Sequence, residues 1–122
     1  MKHKLWALAI ALLMAFPLPA KAHDQLEDQS PGEGETVIAG VVELTLTFNN
    51  ELLEIESGNE IVVTGPSGEV VYAGCLPTLG RDGRISLDLD AAGDYGVSWR
   101  VVSQDGHPIS DSFEFSIVNE TG

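Results

Sequence analysis

Apolar and polar positions alternate with a period of two along much of the chain beyond residue 40. Val42, Leu44, Leu46 and Phe48 are separated by Glu43, Thr45 and Thr47, the pattern of a strand with one face in a core and the other in water. Ile85, Leu87 and Leu89 alternate with Ser86, Asp88 and Asp90 in the same way, and Ala91-Ala92-Gly93 closes that strand. The strongest segments come last. Tyr95, Val97, Trp99 and Val101 line one face, and Phe113, Phe115 and Ile117 line one face of a partner. Shorter strands are predicted over Leu52–Ile55, Glu60–Thr64 and Glu69–Ala73, separated by the turn residues Ser57-Gly58-Asn59 and Gly65-Pro66-Ser67-Gly68. Cys75–Gly83 reads as a longer loop, and His23–Glu35 as a polar, extended lead-in. The spacing predicts an all-β domain of about seven short strands, arranged as a Greek-key sandwich or small barrel. Trp99 is expected in the core, and Arg100, pointing the other way, in a surface ion pair.

The head of the chain follows a different rule. Lys2 and Lys4 precede the unbroken apolar run Ala7–Phe16, and Ala20-Lys21-Ala22 is a small-x-small site. That order is the signature of a secretory signal peptide over residues 1–22. The run is shorter than the about 20 residues that span a bilayer, which weighs against a retained membrane anchor. Cleavage after Ala22 gives a domain of residues 23–122 that starts at His23, and a soluble, exported product is expected.

Charge and cysteine content narrow the partners. All 19 acidic residues of the chain lie beyond Ala22, where only Arg81, Arg84 and Arg100 are basic. Nucleic acid and anionic lipid surfaces are poor partners for such a surface, because binding them depends on Lys and Arg. Cations are attracted, although the same charge also serves plain solubility. Cys75 is the sole cysteine, so the fold holds without an internal disulfide despite the oxidising space that export implies. A buried, inert thiol is the expectation.

Two histidines remain beyond Ala22, His23 and His107. A lone loop histidine is ordinarily a solvated residue. His107, however, stands in the sequence "QDGHP", and Gly106 allows the loop to curl so that Asp105 and His107 turn to one point. Together they supply one oxygen and one imidazole nitrogen, which suits a borderline divalent metal. Cleavage would add a second feature, because His23 would then carry an α-amine and an imidazole on one residue. An α-amine titrates near pH 7.7–8.0, so a metal displaces its proton close to neutrality. Three nitrogens and one oxygen in a square-planar or tetragonal arrangement favour Cu(II). Zinc-type cysteine and histidine spacings and EF-hand spacings are absent from the sequence. Met1 and Met14, the two methionines, fall within the signal peptide, so Cu(I) would have few soft ligands.

These features, with "SPGEGETV" at 30–37, "LTLTF" at 44–48 and "GDYGVSWRVVSQDGHPISDSFEFSI" at 93–117, resemble the CopC family of periplasmic copper-resistance proteins. The last stretch carries most of the specificity, and residues 51–90 match mainly in layout. The resemblance implies a seven-stranded Greek-key β-barrel of cupredoxin-like or immunoglobulin-like kind. It also implies Cu(II) held by His23, Asp105 and His107, and a CopD-type inner-membrane partner. Some members carry a methionine-rich Cu(I) site in the mid-chain loop. Here Cys75–Gly83 has neither methionine nor histidine, which resembles the subgroup that binds Cu(II) alone.

The expectation is therefore a periplasmic Cu(II)-binding protein that buffers, carries or confers resistance to copper, and not an enzyme. Two alternatives compete with it. Oxidative polysaccharide-cleaving monooxygenases also build copper sites on an N-terminal histidine, but Asp105 would fill an equatorial position that oxygen needs. An exported sandwich serving adhesion or assembly would bind no copper at all.

Overall fold

The computed structural model describes residues 25–55 and 58–120. The expected signal peptide and His23 lie outside the described residues. Nine strands follow in order: β1 (Leu26–Ser30), β2 (Thr36–Ile38), β3 (Gly40–Phe48), β4 (Glu60–Thr64), β5 (Val70–Cys75), β6 (Thr78–Leu79), β7 (Asp82–Leu89), β8 (Gly93–Val102) and β9 (Pro108–Val118). Two open sheets, β1-β3-β7-β6 and β2-β9-β8-β4-β5, pack as a sandwich. All pairings are antiparallel except that of β2 with β9. Among the described residues no helix is long and apolar enough to cross a membrane.

The period-two positions build the core. Val42, Leu44, Leu46 and Phe48 from β3 meet Tyr95, Val97, Trp99 and Val101 from β8 and Phe113, Phe115 and Ile117 from β9, all buried. Phe48 and Trp99 meet edge to face with ring centroids 5.3 Å apart. Truncating a buried aromatic of this kind to alanine costs about 3–5 kcal/mol. Both sheets therefore depend on the end of the sandwich where β3 and β8 finish.

Several expectations change. Part of the polar lead-in is a strand: β1 pairs with β3, with a bulge between Leu26 and Asp28. The segment Leu52–Ile55 is not a strand, and only Leu52 forms an isolated bridge, to Ser103. Its backbone is divided between the β6–β7 turn and the end of β8, since Leu52 N–H donates to Gly80 O and Leu53 N–H to Val102 O, each at 2.9 Å. The loop expected over Cys75–Gly83 contains a short hairpin, in which Thr78–Leu79 pairs with Asp82–Gly83. Cys75 is exposed, not buried, because it ends β5, an outer strand of its sheet. Arg100 is exposed as expected, but its guanidinium reaches the Gly58 carbonyl at 3.5 Å instead of a carboxylate.

Candidate metal centre

β8 and β9 pair from Gly93↔Ile117 to Val102↔Pro108, so residues 103–107 form the loop of the longest hairpin. Ser103 anchors that loop. Its N–H donates to the His107 carbonyl at 2.9 Å, and its carbonyl accepts the Gly106 N–H at 2.9 Å. Gly106 makes the reversal at φ +88°, a conformation that L side chains resist. The result brings the two expected loop ligands together. Asp105 Oδ1 accepts the His107 backbone N–H at 3.0 Å and lies 3.2 Å from His107 Nδ1. Both side chains remain accessible, His107 at 63% and Asp105 at 44%.

Residues not singled out in the sequence hold this loop in place. The Ser103 side chain, 1% exposed, hydrogen-bonds to Asp105 Oδ1. Gln104 Nε2 donates to Leu52 O at 3.0 Å. Buried Asn59 accepts the Val102 N–H at 2.9 Å and donates to Leu53 O at 3.0 Å, tying the end of β8 to the chain that leaves β3. Buried amides and hydroxyls of this kind are hydrogen-bonded because an unsatisfied one costs about 1–3 kcal/mol. In the sequence Asn59 reads as a turn residue and Ser103 as one more loop polar group; a break in the apolar alternation after Val102 was the available signal.

The described chain begins at the same end of the sandwich. Gln25 hydrogen-bonds to Asn49, and Leu52, three residues beyond Asn49, bridges Ser103. Three extended residues span at most about 11 Å. Between β1 and the β8–β9 hairpin runs a cleft of about 490 Å³ whose lining includes Glu27, Asp28, Glu33, Asp111 and Trp99. Its carboxylates add negative potential beside the hairpin, which raises the local concentration of cations. Among the described residues no three His, Cys, Asp or Glu side chains come together as a metal cage. The loop thus sets one carboxylate oxygen 3.2 Å from one imidazole nitrogen at the head of the hairpin.

An open β-sandwich with an exposed carboxylate–imidazole pair at the head of its final hairpin is the class that fold and site define. The CopC domain family matches residues 26–118, and the chain belongs to it. Copper resistance protein C of Xanthomonas campestris pv. juglandis is 35% identical over 105 residues, covering 80% of this chain and 82% of that protein. The crystal structure of CopC from Methylosinus trichosporium OB3b superposes with a TM-score of 0.72 at 25% identity, covering 82% of this chain and 98% of its own. PcoC of Escherichia coli, described as a methionine-rich copper resistance protein, gives a TM-score of 0.59 at 28% identity over 80% of this chain and all of its own, 100%.

Proposed function

We propose that this protein is exported by a signal peptide over residues 1–22 and that residues 23–122 bind one Cu(II) in the periplasm, to buffer or carry it. The ligands are the α-amine and imidazole of His23, the Asp105 carboxylate and the His107 imidazole. The juxtaposition of Asp105 with His107, at 3.2 Å, in a chain of the CopC family, is the observation that carries this reading. The attachment of Gln25 at the loop's end of the sandwich supports it, because the two residues that precede Gln25 reach up to about 7 Å further.

The donor set fits Cu(II) by its chemistry. Nitrogen and oxygen donors in a tetragonal plane suit the cupric ion, and the divalent affinity order peaks there. Unlike the methionine-rich relative, this chain has no methionine beyond Met14, so a Cu(I) site of soft sulfur ligands is disfavoured. Binding displaces the proton of the amine, and affinity falls as pH drops below the amine's ordinary range of about 7.7–8.0. If Asp105 joined the three nitrogens, oxygen would have to compete with a protein donor for the ion, which favours cargo over catalysis. Passage of copper to a CopD-type inner-membrane protein follows from the family resemblance.

The test is a Cu(II) titration of protein recovered from the periplasm beside protein with one extra residue ahead of His23. The first should take one tight Cu(II) per chain, and the second should lose most of that affinity. Equal binding by both would remove the amine from the site. Peroxide-driven turnover of a polysaccharide with ascorbate would overturn the cargo reading.

A further inference from the structure

Ser103 is a buried polar residue whose hydroxyl serves neither sheet. It is 1% exposed, and its Oγ contacts two acceptors, Asp105 Oδ1 and the His107 carbonyl, the latter at 3.1 Å. A hydroxyl has one proton to give. The His107 carbonyl already accepts the Ser103 N–H at 2.9 Å, and the carboxylate is the stronger, charge-assisted acceptor. The proton therefore goes to Asp105. Oδ1 then accepts hydrogen bonds from Ser103 Oγ–H and from the His107 N–H at 3.0 Å, and it lies 3.2 Å from His107 Nδ1.

We propose that Ser103 is a positioning residue of the metal centre, whose buried hydroxyl fixes the Asp105 carboxylate beside His107. The inference rests on the Cu(II) reading above and adds to it a residue that does not touch the metal. Supporting groups of this kind change metal affinity by about 10–100-fold when removed. Ser103 also ties this setting to the fold, since its backbone bridges Leu52 at the end of the sandwich. The setting of the Asp105 carboxylate and the fold are thereby coupled through one residue.

The experiment compares mature wild type, Ser103→Ala and Ser103→Thr by chelator competition for Cu(II) and by Cu(II) electron paramagnetic resonance. Ser103→Ala should weaken binding at least about tenfold and shift the parallel g and hyperfine values, while Ser103→Thr, which keeps the hydroxyl, should restore both. Wild-type affinity and an unchanged spectrum in Ser103→Ala would overturn the proposal. If either variant fails to fold, proton NMR of the wild-type apoprotein decides. A Ser103 hydroxyl proton protected from exchange and close to the His107 amide supports the assignment, and one exchanging freely with water overturns it. Absence of any Cu(II) uptake by wild type overturns both readings; uptake by wild type with an indifferent Ser103→Ala overturns this one alone.

Discussion

Asn49 grips Gln25 from both sides: its Oδ1 accepts the Gln25 N–H at 2.7 Å, and its own N–H donates to the Gln25 carbonyl at 2.9 Å. The pair extends the β1–β3 ladder past Leu26↔Phe48 and anchors the first described residue to the end of β3. Asn49→Ala removes the side-chain half of the grip. The expected loss of stability is about 0.5–1.5 kcal/mol, measured by urea denaturation of the apoprotein. Cu(II) affinity should fall as well, because the arm carrying His23 then samples more directions. An arm that docks independently of Asn49 would show the stability loss with unchanged affinity.

Gly106 sits between Asp105 and His107 at φ +88°, and a Cβ placed there would meet nothing within 4 Å. A side chain at this position is therefore opposed by backbone conformation and not by crowding. Gly106→Ala is expected to destabilise the apoprotein by about 1–2 kcal/mol and to weaken Cu(II) binding by disturbing the approach of Asp105 to His107. Gly106→Asn should lose less, since asparagine tolerates the left-handed region better. Denaturation midpoints of the two variants give the order directly, and the reverse order would show that side-chain contacts decide.

How much of this was legible in the sequence depends on how many neighbours each feature needs. The inward faces of β3, β8 and β9 were readable because strict alternation specifies a half-buried strand without reference to any partner. β1 was not, since "LEDQS" has one apolar residue, and its strand character comes from pairing with β3. Leu52–Ile55 has the composition of a strand, but its N–H groups are drawn to Gly80 in the β6–β7 turn and to Val102 at the end of β8. At the centre, Asp105, Gly106 and His107 were legible as a local motif. The contacts of Asn59 and Gln104 and the Ser103 bridge to Leu52 were not, because each joins segments far apart in the chain; the Ser103 hydroxyl contact to Asp105 is local, but depends on the burial that the fold gives Ser103.

Two exposed carboxylates make opposite contributions to the pH dependence of stability. Asp88 and Asp90 lie on one face of β7 and just beyond it, and the Asp90 charge pushes the Asp88 carboxyl up from its ordinary value. The folded state then holds the Asp88 proton more firmly than the unfolded chain, so stability falls as pH rises through that carboxylate range. Glu69 behaves in reverse. Hydrogen bonding from Ser67 holds its carboxyl low, so its stabilisation is present at neutral pH and lost on acidification. Asp88→Asn should raise the thermal midpoint at pH 7 and change it progressively less on acidification, as the Asp88 carboxyl takes up its proton. Glu69→Gln should lower the neutral midpoint. Melting curves across that range check both signs.

Tyr95 closes the opposite end of the sandwich from the candidate metal centre, near the start of β8. Its ring is buried and stacked on Phe115, with centroids 5.6 Å apart at 14°. Its hydroxyl donates to the Ala91 carbonyl, four residues upstream, at 2.7 Å, as tyrosines do at the corners of Greek-key sandwiches. Burial is the main cause that pushes its phenol above the ordinary value. The unfolded chain therefore ionises first on the alkaline side, and stability declines as pH rises past about 10. Tyr95→Phe keeps the ring and the stacking but leaves the Ala91 carbonyl without its donor, for an expected loss of about 1 kcal/mol at pH 7. The variant should also lose less stability than wild type between neutral and strongly alkaline pH, because no phenol at 95 remains to ionise. A parallel decline of the two proteins would show that other groups govern alkaline unfolding. Cu(II) affinity should be unchanged at neutral pH, since the residue sits at the far end of β8 from Ser103.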